Sequence, residues 1–201
     1  MVKGHERKRE TYDQWLEKKQ AELEKASSNS KQGTVQLSNY ADVTEQWLKE
    51  ATPNSHKILD LQEYSDGVTS YKVDGNKVKL EYSQQEKDVA ELIERKFGGE
   101  LYMVPKVNSP QGISTPDYLF RNDKYDLKTL KKGAGQNTIF NRIKKSTKQA
   151  NNFVIDLRKT ELEEKTVNEQ IQKIFARTET QNVKTIITIT GEEEIYVITK
   201  K

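Results

Sequence analysis

The sequence predicts a mixed α/β (α+β) fold: an αβββαβ core with an added helix and two C-terminal strands, preceded by a helical N-terminal extension. Three observations carry this. Ser83-Gln-Gln-Glu86 is a capping box opening a helical stripe of Val89, Leu92, Ile93 and Phe97. Short apolar runs bounded by Gly and Pro then recur at strand length, and two further amphipathic stretches separate them. At 201 residues the chain is long enough to bury a core, and with no cysteine it does so without disulfides or thiolate metal sites.

Residues 1–70 read as a helical connector, and residues 71–201 as the α/β domain. Met1 to Lys25 is dense in charge, with Tyr12, Trp15, Leu16 and Leu23 as a weak stripe, and Ala26 to Thr34 has linker composition. A short helix is expected over Ala41 to Ala51, presenting Val43, Trp47 and Leu48 and stopping before Thr52-Pro53. Tyr71 to Val73 and Val78 to Tyr82 alternate around Asp74-Gly75-Asn76, a hairpin signal. The capped helix follows and ends at Gly98-Gly99. Leu101 to Val104 is a strand closed by Pro105, and a loop containing Pro110 and Gly112 leads to Thr115.

Tyr118 to Phe120 and Tyr125 to Leu130 are two strands joined by the polar turn Arg121 to Lys124. Gly133-Ala-Gly135 precedes a helix from about Asn137 to Ala150, with Ile139, Ile143, Thr147 and Ala150 on one side; amides at such a break can hold phosphate, although a lone Gly-x-Gly is a weak signal. Phe153 to Leu157 is an apolar strand, and Glu164 to Arg177 a helix carrying Val167, Ile171, Ile174 and Phe175. Val183 to Thr190 and Glu194 to Thr199 turn at Gly191.

Hydrophobic residues make up 33% of the chain and charged ones 32%, so part of it is expected to lie outside a compact core. No apolar run approaches membrane-spanning length, and no signal-peptide core opens the chain. A cytoplasmic site of action is expected. The formal charge of +3 is unevenly spread: Arg121 to Lys148 holds nine Lys/Arg against Asp123 and Asp126. Such a patch is the footprint of a polyanionic partner, although charge runs are often only solvated faces.

Chemistry is expected at Thr115 to Thr129. Side chains alternate along a strand, so Asp126 and Lys128 share a face while Leu127 points to the core, and the hairpin brings Asp117 alongside. Two carboxylates at one place repel unless a cation lies between them, and hard oxygen donors suit Mg²⁺ or Mn²⁺. Such an ion and a nearby ammonium can act on a phosphodiester. By spacing alone the structural alternative is the commoner one: Asp117 as a turn cap, Asp126 and Lys128 as an ion pair. Glu86 likewise has a structural explanation as the capping-box acid.

The αβββαβ order, with Pro116-Asp117 at the second strand and Asp126-Leu127-Lys128 on the third, resembles the PD-(D/E)XK nuclease superfamily. The resemblance implies a catalytic set of Glu86, Asp117, Asp126 and Lys128. Gln149, four residues before Phe153, is similar to the Gln-x-x-x-Tyr element of some members, with Phe for Tyr. A closer resemblance runs from about Lys77 to the C-terminus. It is carried by Phe97-Gly-Gly-Glu-Leu-Tyr-Met-Val-Pro105, Pro110-Gln-Gly-Ile-Ser-Thr-Pro-Asp-Tyr-Leu119, Tyr125-Asp-Leu-Lys-Thr129 and Gln149-Ala-Asn-Asn-Phe-Val-Ile-Asp-Leu157. These look like the C-terminal tRNA-nuclease domains of contact-dependent growth-inhibition (CdiA) toxins, which also end phage-type head-morphogenesis proteins. Gly4 to Trp15 resembles the segment just before such domains.

What the resemblance implies is a metal-dependent tRNase toxin domain. Asp117 and Asp126 would bind Mg²⁺ or another divalent ion (Mn²⁺, Zn²⁺), Glu86 would complete the shell or orient water, and Lys128 would meet the scissile phosphate. Asn137, Thr138, Arg142, Lys145, Lys148 and Gln149 are the expected RNA contacts. A cognate immunity protein and elongation factor Tu are the implied partners besides tRNA, and delivery by a phage-like element is a further option. Some toxins of this group instead have a barnase/EndoU/colicin-like fold and cleave RNA without metal. Here His5 and His56 both lie outside the matched segment, so that route would rest on Lys128, Thr129, Thr138 or Lys148. The remaining alternative is a nonenzymatic, phage-associated nucleic-acid-binding module.

Overall fold

The computed structural model describes residues 39–201. Expectations for residues 1–38, including the Tyr12 to Leu23 stripe and the linker at 26–34, fall outside the described residues. The rest is a three-layer arrangement around an eight-stranded mixed sheet, in keeping with the mixed α/β class the sequence predicts. The strands are β1 (Tyr40–Asp42), β2 (Thr52–Asp60), β3 (Glu63–Ser65), β4 (Ser70–Lys72), β5 (Val78–Lys79), β6 (Gly98–Met103), β7 (Lys106–Val107), β8 (Tyr118–Phe120), β9 (Asp123–Thr129), β10 (Asn152–Asp156), β11 (Thr185–Ile189) and β12 (Ile195–Lys200). The helices are α1 (Thr44–Lys49), α2 (Gln84–Phe97), α3 (Thr138–Ser146) and α4 (Glu164–Ala176). In the large sheet the order is β1-β12-β11-β10-β9-β8-β6-β2. No helix among the described residues is long and apolar enough to cross a membrane.

The centre of the sheet is parallel, with β10 between β9 and β11. All five β10 residues are buried, as expected of a strand covered on both faces. Phe153 and Ile155 face one core with Ile139, Ile143, Ile171 and Ile174 of α3 and α4. Val154 faces the other, with Val89, Leu92, Ile93 and Phe97 of α2. β8 and β9 form the expected hairpin. Its two-residue turn holds Arg121 at φ 51° and Asn122 at φ 64°, both positive, as the tight turn that matches strand twist requires.

Three expectations change. The first is the connector: residues 40–60 supply β1 and β2, which form the two outer edges of the main sheet, so the described part of 1–70 is built into the fold. Edge strands need only one pairing and tolerate exposed polar residues, which hides them from an alternation test. The β2–β6 contact also requires Gly98, at φ 64°, because a Cβ there would stand 2.1 Å from the Thr52 carbonyl oxygen.

The second concerns the Tyr71 to Tyr82 hairpin, which does not form. The turn exists, with the Asp74 carboxylate accepting from the amides of Asn76, Lys77 and Val78 at 2.8, 2.7 and 2.9 Å. Its flanks pair elsewhere, Ser70–Lys72 with Glu63–Ser65 and Val78–Lys79 with Lys106–Val107. Alternation specifies faces, whereas a separate small core of Tyr64, Val78, Val104 and Val107 selects the partners. The third is that the helix expected over 137–150 is shorter, ending at Ser146.

Candidate active site

Glu86, Asp117, Asp126 and Lys128 come from three separate elements and line one open cavity of about 790 Å³. Glu86 is the capping-box acid of α2 and also a site residue. Ser83 Oγ accepts from the Glu86 amide at 3.2 Å, and Glu86 Oε2 accepts from the Ser83 amide at 2.5 Å. This leaves Oε1 facing the cavity, where it meets the Lys106 ammonium at 2.6 Å. The Tyr118 hydroxyl donates to the Glu86 carbonyl at 2.8 Å, tying the start of α2 to β8.

Asp117 stands just before β8. Its amide donates to the Tyr125 carbonyl at 2.9 Å, and its Oδ2 accepts from the Leu127 amide at 2.6 Å, locking the carboxylate across the hairpin. Its Oδ1 lies 3.2 Å from Lys106 Nζ. On β9, Asp126 and Lys128 share a face as predicted, and the Lys128 ammonium lies against Asp126 Oδ2. Leu127 packs toward the α2 core. Asp126 is 4% exposed, and the Lys128 ammonium is the partner of its Oδ2.

Crowding of carboxylates sets the electrostatics. Burial, with Asp126 and Glu86 adding to it, pushes the Asp117 carboxyl up to about 6 against the pull of the Leu127 amide and Lys106. Burial also raises the Glu86 carboxyl, but the Lys106 and Ser83 hydrogen bonds outweigh it and hold Glu86 below the usual range. Asp117 binds its proton more tightly folded than unfolded. Its contribution to stability is therefore full below about pH 4 and is lost as pH rises through about 6. Asp117→Asn should accordingly unfold later than the wild type in urea at pH 8, by about 3 kcal/mol, with the gap closing near pH 4. A gap independent of pH would contradict this.

The residues fit a cation. The buried Asp126 carboxylate, paired with Lys128, and the Glu86 and Asp117 carboxylates converging on Lys106 are oxygen donors of the kind a hard divalent ion takes. Among the described residues, no three His, Cys, Asp or Glu side chains are gathered to hold one as they stand. Lys106 occupies the position between Glu86 and Asp117.

Of the expected RNA contacts, Arg142 and Gln149 line the cavity, whereas Asn137, Thr138, Lys145 and Lys148 do not. Arg142 donates from Nη1 to the Thr129 carbonyl at 2.6 Å. Asn137 accepts from Lys173 Nζ at 2.9 Å, away from the carboxylates. The Gly133 to Gly135 break does not present amides to an anion. Gly135 N donates to Thr138 Oγ1, the Thr138 amide donates to the Gly135 carbonyl, and the next two α3 amides, Ile139 and Phe140, donate to the buried Gln170 Oε1 at 2.8 and 3.4 Å.

Sequence reasoning missed Lys106, Gln85 and the Asp156–Arg158 pair. Asp156 ends β10 fully buried, and both its oxygens accept from Arg158 at 2.9 Å. Gln85 donates to Asp156 Oδ2 and accepts from Lys159 at 2.8 Å, so the residue beside Glu86 is tied to β10. No motif spacing marks these residues. The only signal is a charged residue at the end of an apolar strand run.

Fold and site together define a three-layer α/β domain with a carboxylate–lysine centre built on the β8–β9 hairpin and the first turn of α2. Residues 114–195 match the family model of the contact-dependent growth inhibition CdiA C-terminal domain. The match takes in Asp117, Asp126, Lys128, Arg142 and Gln149, and leaves Glu86 and Lys106 outside it. Among solved structures, the chain is similar to one described as a CdiA-CT/CdiI toxin and immunity complex from Burkholderia pseudomallei. That likeness has 21% identity and a TM-score of 0.45, over 57% of this chain and 82% of that one. No curated protein matches.

Proposed function

We propose that this chain is a metal-dependent endoribonuclease toxin domain acting on tRNA. The observation carrying the reading is the meeting of Glu86, Asp117, Asp126 and Lys128 in a cavity that also holds Lys131, Arg142 and Lys159. Asp117 and Asp126 would hold the ion, with Glu86 as third donor or orienting water. When bound, the ion supplies charge stabilisation at phosphate and a more acidic water. Lys128, kept at the cavity wall by Asp126, places its ammonium against the phosphate under attack. Arg142, Lys131 and Lys159 meet the neighbouring phosphates and make binding salt-dependent. The family match to residues 114–195 supports the toxin reading, and with it a cognate immunity protein that covers the site. Elongation factor Tu and carriage by a phage-like element rest on the sequence resemblance alone.

Lys106 favours a second reading. Its ammonium already neutralises Glu86 and Asp117, so the centre carries a cation of its own and could cleave RNA without metal. Incubation of the chain with end-labelled total tRNA, in Mg²⁺ and then in EDTA, separates the two. Discrete cleavage lost in EDTA is the expected result. Cleavage surviving EDTA selects the metal-free route, and no cleavage of tRNA overturns both.

A further inference from the structure

Lys106 belongs to none of the motifs that define the centre, yet it contacts two of its carboxylates at once. Its Nζ lies 2.6 Å from Glu86 Oε1 and 3.2 Å from Asp117 Oδ1. Both carboxylates are therefore satisfied by one side chain, while the Lys128 ammonium serves the buried Asp126 beside them. The lysine's backbone is fixed. It sits on β7 between buried Pro105 and Val107, and β7 pairs with β5 through Val78–Val107 and Lys79–Lys106. Its side chain is freer, being 32% exposed and lining the cavity. A long, flexible ammonium on a rigid base can leave its partners without any change in the fold.

We propose that Lys106 is a tethered cation holding the metal position closed: its ammonium occupies the place between Glu86 and Asp117 that a divalent ion takes, and must swing into the cavity for that ion to bind. The inference rests on the metal-dependent reading above. It explains why three carboxylates meet here without being gathered into a ligand set. Ammonium and metal would compete for Asp117 and Glu86, two of the three proposed donors, so the folded chain pays no full repulsion between them when metal is scarce. Displacement of the ammonium then lowers the apparent metal affinity by the strength of the pairing.

The test is calorimetric titration of the full 201-residue chain with MnCl₂, comparing wild type, Lys106→Gln, Lys106→Arg and Asp126→Asn, with folding followed by circular dichroism. Lys106→Gln removes the competitor and should tighten Mn²⁺ binding about tenfold, whereas Lys106→Arg, a stronger forked partner for carboxylate, should weaken it. If Lys106→Gln fails to fold, the arginine variant alone still reads the competition. Unchanged or weaker Mn²⁺ binding in Lys106→Gln, or unchanged binding in Lys106→Arg, with binding abolished in Asp126→Asn, overturns the role of Lys106 and leaves the metal centre standing. Absence of Mn²⁺ binding from every variant, wild type included, removes the metal reading and the tethered cation together.

Discussion

Asp126→Asn is expected to lower tRNA cleavage by about 10²–10³-fold while leaving the fold and RNA binding in place. Asparagine keeps the shape of the buried side chain, which is 4% exposed, and removes its charge. In the proposed mechanism that charge does two things: it gives the ion an anionic oxygen, and it holds the Lys128 ammonium at the cavity wall. The second role has a structural cost, because asparagine leaves the Lys128 ammonium, 18% exposed, without its anionic partner, so the melting temperature should fall while the chain stays folded. The cavity's Lys131, Arg142 and Lys159 are untouched, and filter binding to tRNA should hold within a few-fold. Undiminished turnover would take Asp126 out of the chemistry. Loss of both turnover and binding, with native circular dichroism, would make it an RNA contact.

The largest effect on stability is expected at a residue outside the proposed chemistry. Asp156→Ala should cost about 3–5 kcal/mol in urea unfolding, since it strands one partner of a buried ion pair. Asp156 is fully buried and accepts from Arg158 Nε and Nη2, each at 2.9 Å, as well as from the Arg158 amide at 3.1 Å and from Gln85. The Arg158 side chain is only 18% exposed, and a second acidic neighbour, Glu193, lies 3.6 Å away. Losing the carboxylate also cuts the tether between β10 and the first turn of α2, one residue from Glu86. A loss below about 1 kcal/mol would show that the guanidinium reaches water on its own and that the pair is only a surface-strength contact.

Much of the centre is legible in one dimension because it is built from local rules. The hairpin of β8 and β9 follows from two apolar runs around a polar turn, and strand alternation then places Asp126 and Lys128 together. The capping box fixes Glu86 in the first turn of α2 for reasons unrelated to chemistry. Arg142 from α3 and Gln149 from the turn after it reach the cavity, but Asn137, Thr138, Lys145 and Lys148 do not. A helix presents only one face to any site, and residue spacing does not say which face that is.

What the sequence by itself determined is the order of the core elements, the period of each, and the Asp117, Asp126 and Lys128 constellation on one hairpin. These depend on neighbours within about ten residues, where backbone geometry dictates direction. Tertiary structure alone decided that residues 40–60 form both edges of the sheet, that the flanks of the Asp74 turn pair with other strands, and that Lys106 stands between Glu86 and Asp117. Each of these is a choice among partners far apart in the chain. Pairing energy and charge neutralisation make that choice only once the core has brought the candidates together.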